Sequence, residues 1–112
     1  MERTFIHLKT FDKHWNALGL TDIDLQALER VIMENPEAGD LIQGAGGLRK
    51  LRFALPNRGK SGGVRVLYVD YISYELTVFA GVYAKGEKET LTDREKQDYR
   101  TWITAFLKEL RK

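Results

Sequence analysis

The C-terminal end of the chain has the clearest hydrophobic pattern. Its apolar residues recur at i, i+3, i+4, i+7, i+8 and i+11, and they are Tyr99, Trp102, Ile103, Phe106, Leu107 and Leu110. This spacing is typical of one face of an amphipathic helix. Thr92 and Glu95 match a capping box just upstream, which indicates where that helix begins. The pattern therefore predicts a long helix that packs its apolar stripe on a core.

The N-terminal half predicts one short strand and two further helices. Residues 3–9 are rich in β-formers and predict the strand. Residues 10–18 then place Phe11, Trp15 and Leu18 at helical spacing. Thr21 with Asp24 resembles a second capping box, and Leu25, Leu28, Val31 and Ile32 continue it as an apolar stripe. We expect this second helix to end near Asn35-Pro36, because the residue before proline disfavours the α region.

Three strands are predicted between the helical ends, at Leu48–Leu55, Val64–Tyr71 and Glu75–Tyr83. A glycine-rich approach over residues 40–47 precedes the first of them. Short connections between the strands favour antiparallel pairing. The order of elements predicts a single α+β domain over residues 1–112. Its curved, antiparallel-dominated sheet has about four strands, with the two early helices and the C-terminal helix packed on it.

Composition excludes several kinds of chemistry. The 112 residues include no Cys, so disulfides, thiolate metal sites and cysteine nucleophiles are absent. His7 and His14 do not form a metal-ligand pattern, and we expect neither a metal nor a cofactor. No apolar run reaches the roughly 20 residues that span a bilayer, and the N-terminus does not resemble a secretory signal. We expect a cytoplasmic protein with no membrane partner.

Charge is distributed unevenly along the chain. Residues 19–40 contain six acidic side chains against Arg30 alone. Residues 41–69 contain no acid and six cations, which are Arg49, Lys50, Arg52, Arg58, Lys60 and Arg65. A block of one sign favours an anionic partner. The alternative is that these cations form salt bridges with the acidic helix at residues 21–35.

The cations fall on the predicted strands in a way that favours a nucleic acid. Period-two geometry places Lys50 and Arg52 on one face, and Tyr83 and Lys85 share a face on the last strand. Arg65 lies between apolar neighbours, where a cation is costly unless it faces a cleft or a partner. We expect this face to bind a phosphodiester backbone, with Tyr68 or Tyr83 stacking on bases. The other cations expected to bind RNA are Arg49, Arg58, Lys60 and Lys88.

One motif argues for a different function and is rejected. Residues 54–61 match a relaxed phosphate-loop pattern with Ala54 in place of the first glycine. That mechanism requires a helix after the loop, whose N-terminus binds the phosphates. Here the loop leads into Val64–Tyr71, which is predicted to be a strand.

Three segments resemble the RelE/ParE toxin superfamily, in particular its HigB-like branch. They are Gly-Gly-Leu-Arg-Lys at residues 46–50, Gly-Lys-Ser-Gly-Gly-Val-Arg at residues 59–65 and Val-Tyr-Ala-Lys at residues 82–85. The resemblance implies a RelE-like fold and the toxin of a type II toxin–antitoxin pair. It further implies a ribosome-dependent endoribonuclease that acts on mRNA, and a small helix-turn-helix antitoxin as partner. The family's catalytic positions correspond to Lys50, Arg52, Arg65 and Lys85.

The sequence departs from the family pattern after the last of these residues. RelE-type members have an arginine next and a tyrosine shortly beyond, where this chain has Gly86 and Leu91-Thr92. Cleavage of RNA by its own 2′-hydroxyl needs a base, an acid and charge stabilisation at phosphorus. Only a carboxylate, a neutral His or a Lys of lowered pKa serves as the base at neutral pH. We favour Lys50 or Lys85, with Arg52 and Arg65 holding the phosphate.

Two other functions remain open at this point. A ParE-like gyrase inhibitor would act by binding alone, and a strand-face cation cluster is not needed for that. A non-catalytic RNA- or DNA-binding module would use the same basic face without cutting.

Overall fold

The computed structural model describes residues 2–56, 63–87 and 90–112. Three α-helices are present, α1 at Lys9–Ala17, α2 at Asp22–Glu34 and α3 at Asp93–Leu110. The strands are β1 at Thr4–His7, β2 at Asp40–Leu41, β3 at Arg49–Phe53, β4 at Val64–Tyr71 and β5 at Leu76–Ala84. A 3-10 turn at Ile72–Tyr74 joins β4 to β5. The predicted α+β class and all three helices are confirmed.

The five strands form one mixed sheet in the order β1-β5-β4-β3-β2. β1 runs parallel to β5, and the other neighbours are antiparallel. The sheet has five strands where about four were predicted, because Asp40–Leu41 pairs with β3 within the segment that was expected to be a loop before it. A two-residue strand is too short to show any alternation of polar and apolar residues, so the sequence pattern could not predict it.

α1 and α2 close one face of the sheet. Phe11 of α1 is fully buried and stacks on Phe79 of β5 with ring centroids 5.2 Å apart. Leu28 and Ile32 of α2 are also fully buried, in the same cluster as Leu51 of β3. Thr21 and Asp24 form the predicted capping box, so the start of α2 is set by residues next to it in sequence.

α3 packs on the opposite face. Ile103 is buried there against β4 and β5, and Trp102 and Phe106 pack around it. The Tyr71 hydroxyl donates a hydrogen bond of 3.0 Å to the Ile103 carbonyl, and burial raises the pKa of Tyr71 to about 12. The capping box of Thr92 and Glu95 is present as predicted. The sheet therefore has helices on both faces, and α3 lies on the same face as the cations described next.

Candidate nucleic-acid cleft

The basic side chains meet because of how three neighbouring strands are aligned. Arg52 on β3 lies directly opposite Arg65 on β4, and Arg65 lies directly opposite Tyr83 on β5. Directly opposite residues have their Cβ atoms on the same face, about 5 Å apart. The three side chains therefore form one row across the sheet.

A β-bulge in β5 puts the last strand in phase with this row. Leu67 pairs with Gly81 and Tyr68 pairs with Phe79, which leaves Ala80 as an extra residue on β5. An extra residue reverses the alternation of faces beyond it. Ala80 faces α3 on one side of the bulge, and Tyr83 reaches that same face on the other side. Without the bulge, Tyr83 and Lys85 would point away from Arg52 and Arg65.

The row lies in a cleft of about 450 Å³. Its lining residues come from four strands and the turn after β5, and they are Asp40, Lys50, Arg52, Arg65, Tyr83, Lys85 and Gly86. The structure thus brings together all four predicted catalytic residues and Tyr83. Gly86 has a φ of +88°, a left-handed conformation that favours glycine, and it turns the chain immediately after Lys85.

Ion pairing with the acidic helix does not explain these cations. α2 packs on the opposite face of the sheet, through Leu28 and Ile32. Across the described ranges, no ion pair joins Arg52, Arg65 or Lys85 to a carboxylate. Like charges placed directly opposite each other destabilise a sheet, so the Arg52–Arg65 pair has an energetic cost. An anion bound between them would remove that cost.

Tyr83 connects the cleft to α3. Its side chain is half-buried and packs at the edge of the α3 core. Tyr99 of α3 packs against the same core as Tyr83. Burial, then Glu95 and then Tyr83 raise the pKa of Tyr99. A Cβ added at Gly81 would lie 3.7 Å from the Tyr99 hydroxyl. Tyr83 thus packs against the core under α3 and also lines the cleft.

Tyr68 and Arg49 lie on the other face and do not line the cleft. Tyr68 is 0% exposed, so the prediction that it stacks on bases is wrong. Its hydroxyl donates to the Pro36 carbonyl at 2.8 Å and accepts from the Gly39 amide at 2.9 Å. Arg49 donates to the Gly39 carbonyl at 2.7 Å and pairs with Glu37 at 3.8 Å. These contacts show that both side chains hold the segment leading into β2.

Asp40 is the residue of the cleft that sequence reasoning missed. It lies directly opposite Lys50 across the β2–β3 pair. In the sequence it belongs to the acidic block at residues 19–40, and no sequence feature distinguishes it from the carboxylates of the helix in that block. Only the pairing of β2 with β3 places it among the cations.

Three predicted RNA-binding residues, Arg58, Lys60 and Lys88, lie outside the described residues. Most of the rejected phosphate-loop motif lies there too, although Val64–Tyr71 is a strand, as that rejection required. In the described part of the chain, no group of three or more His, Asp or Glu side chains is placed to hold a metal ion. Nor does any helix found there have the length and apolar character to cross a membrane.

Comparison with known proteins places the chain in a family. A sequence model described as "RelE toxin of RelE / RelB toxin-antitoxin system" matches residues 3–112. The chain belongs to the RelE toxin family. A RelE-fold structure is also similar to it, that of a double arginine-to-alanine mutant of the E. coli toxin RelE in the free state. The TM-score is 0.56 at 17% identity, over 92% of this chain and 98% of the other.

Membership of the RelE family gives the chain a biological class. It is the toxin of a toxin–antitoxin system, and an antitoxin is its partner. The fold expected from the resemblance is confirmed. The finer assignment to the HigB-like branch stays a prediction.

Proposed function

We propose that this RelE-family toxin is a ribosome-dependent mRNA endoribonuclease. It cleaves by attack of the ribose 2′-hydroxyl on the neighbouring phosphodiester, without a metal, and so inhibits translation in the cytoplasm. The observation that carries the proposal is the cleft in which Lys50, Arg52, Arg65 and Lys85 face one space.

Arg52 and Arg65 bind the scissile phosphate in this mechanism. A guanidinium presents a planar set of donors that matches two phosphate oxygens at once. Arg65 is half-buried between the buried residues Val64 and Val66. Its side chain is therefore already restricted, and it loses less conformational entropy when it binds the phosphate. Negative charge on the phosphoryl oxygens grows in the transition state, and each preorganised donor contributes about 10²–10³ in rate, by analogy with oxyanion donors.

Lys50 and Lys85 lie at two sides of the arginine row and serve proton transfer. Lys50 is two residues before Arg52 on β3, and Lys85 is two residues after Tyr83, where β5 ends. Tyr83 offers a ring face at the cleft, and stacking of one base on it would orient the sugar next to the arginines. The four strands thus supply the positioning that a reaction without a covalent intermediate requires.

The antitoxin of this toxin is expected to be a small helix-turn-helix protein that neutralises the basic block at residues 49–65. It would do so either by covering the cleft with acidic side chains or by keeping the toxin away from RNA. Both routes use electrostatic attraction between the two proteins.

Expression of the toxin alone, with primer extension on a translated message, tests the proposal. We expect growth arrest and cuts inside translated regions, which disappear when translation is blocked. The variant with Arg52→Ala and Arg65→Ala should abolish the cuts. Arg94→Ala is the matched control, because this exposed arginine on α3 lies outside the cleft and pairs with Asp98.

Three other results would each identify a different function. Cuts that persist on naked RNA would show a nuclease independent of the ribosome. Growth arrest with intact messages and inhibited gyrase would show a ParE-like toxin. Binding to RNA with neither arrest nor cutting would show a non-catalytic module.

A further inference from the structure

Among the described residues that line the cleft, Asp40 is the one carboxylate. Both histidines lie elsewhere. His7 is on the face covered by α1 and α2, with its Nδ1 3.4 Å from Asp12 and its Nε2 3.6 Å from Glu29. His14 belongs to the exposed side of α1. A lone acid among four cations in a cleft for an anion weakens binding, so its presence needs a reason.

Several contacts fix the backbone next to Asp40 and so hold this residue at the cleft. The residue before it, Gly39, is held by the Tyr68 hydroxyl on its amide and by Arg49 on its carbonyl. A Cβ at Gly39 would lie 2.9 Å from the Tyr68 ring and 3.1 Å from the Lys50 backbone. Any side chain there would therefore have to push the start of β2 away from Tyr68 and β3. Burial raises the pKa of Tyr68, and its hydroxyl donates a hydrogen bond to the Pro36 carbonyl.

The chemistry of the reaction supplies a reason for a carboxylate at this place. A lysine of ordinary pKa is deprotonated in only about one molecule in 2,500 at pH 7, whereas a carboxylate is almost entirely in its basic form. The protonated form of lysine, which dominates at pH 7, can instead act as the general acid. Efficient acid–base catalysis uses two groups whose protonation states already differ at the working pH.

We propose that Asp40 is the general base of the cleavage reaction, a role that rests on the proposed endoribonuclease function. Its carboxylate accepts the proton of the 2′-hydroxyl as that oxygen bonds to phosphorus. The bond from phosphorus to the 5′-oxygen breaks, and Lys50 or Lys85 gives that oxygen a proton. The products are a 2′,3′-cyclic phosphate and a 5′-hydroxyl. Exchange with water returns both side chains to their starting states.

Single-turnover cleavage of mRNA on programmed ribosomes tests this assignment, with the wild type, Asp40→Asn and Asp40→Glu. We expect Asp40→Asn to lower the rate by about 10²–10⁴-fold, the usual contribution of a positioned base. Its affinity for programmed ribosomes should be equal or higher, because the variant removes a negative charge from a cationic cleft. Asp40→Glu keeps a carboxylate and should retain much more of the rate than Asp40→Asn.

Glu34→Gln is the matched control. It also changes a carboxylate to an amide, at an exposed position at the end of α2 on the other side of the sheet. The change in net charge is identical, so an effect of charge at long range would appear in both variants. We expect its cleavage rate to stay within about twofold of the wild type.

The pH profile separates a base from a residue that only positions Lys50. The charged or titratable groups that share the cleft with Asp40 are Lys50, Arg52, Arg65, Tyr83 and Lys85. With a carboxylate base and a lysine acid, the wild-type rate should not rise with pH around neutrality. The residual rate of Asp40→Asn should rise about tenfold per pH unit, because hydroxide then replaces the missing base.

Each outcome decides one question. Cleavage by Asp40→Asn at the wild-type rate overturns the assignment, and so does a slow Asp40→Asn that shares the pH profile of the wild type. A wild-type rate that itself rises with pH would assign the base to lysine. If the wild type cuts no translated message, the endoribonuclease proposal itself fails, and the wild-type reaction alone shows this. Thermal melting of every variant confirms that the comparison is between folded proteins.

Discussion

Arg3 and Arg65 both belong to the central sheet, but their surroundings differ in the charges that they meet. Arg3 precedes β1 and pairs with Asp70 of β4, with Nη1 2.5 Å from Oδ1, and both side chains are only 3% exposed. Thr77 of β5 also donates to that oxygen, at 2.6 Å. Arg65, near the start of the same strand β4, faces another arginine and is half-buried.

The difference separates a cation that stabilises the fold from one that is available to a ligand. A buried charge is tolerated when it has a partner of opposite sign, and Asp70 is that partner for Arg3. Arg65 has no carboxylate partner within the described ranges, and its cross-strand neighbour repels it. A partly buried arginine in that position favours an external anion as partner, which is why the cleft and not the Arg3 site is the candidate for RNA.

Removing one member of the Arg3–Asp70 pair should produce the largest change in stability. Arg3→Met leaves Asp70 buried without its cation, and we expect a loss of about 3–5 kcal/mol in the free energy of unfolding. Urea unfolding measures this loss. The double variant with Arg3→Met and Asp70→Leu should recover most of the stability, because it removes both charges. A loss below about 1 kcal/mol in the single variant would show that water reaches Asp70.

Arg65→Ala should reduce cleavage without reducing stability, the reverse of the emphasis at Arg3. We expect cleavage on programmed ribosomes to fall by at least about 10²-fold, because a donor to the transition-state phosphate is lost. Stability should be unchanged or slightly higher, because the repulsion with Arg52 disappears. Arg94→Ala serves again as the control. A variant that folds normally and cleaves at the parent rate would contradict the site assignment.

Arg65→Lys refines the same measurement. Lysine retains the positive charge but lacks the planar fork of donors, so we expect it to restore little of the lost cleavage. Full restoration would instead show that Arg65 contributes only charge.

The smallest expected effect is on association with the antitoxin. The on-rate should fall as salt is raised from low to physiological ionic strength, because a basic cleft attracts an acidic partner over a distance. Arg65→Ala should lower the on-rate at low salt by a few-fold, whereas Arg30→Ala, on the acidic helix α2, should not. Stopped-flow mixing over a range of salt concentrations measures both. An on-rate that does not depend on salt would place the antitoxin interface on an apolar surface elsewhere.

The elements that depend on neighbours in sequence were predictable. The two capping boxes and the helical stripes set α2 and α3, and the apolar run at Val64–Tyr71 gave β4 with its observed ends. Alternation along β3 also placed Lys50 and Arg52 on one face, because period-two geometry needs only the strand itself.

Long-range pairing decided the rest of the cleft. Tyr68 is an aromatic residue of the kind that can stack on bases, but the alternation along β4 places it on the face covered by α2, where it is buried. Its hydroxyl instead forms hydrogen bonds with the Pro36 carbonyl and the Gly39 amide. The bulge at Ala80 returns Tyr83 to the face of Arg65. Asp40 reaches the cations through a two-residue strand with no pattern of its own. The sequence by itself determined which residues are cationic and which local elements form. The tertiary structure decided which side chains share a space, because that depends on register between segments far apart in the chain.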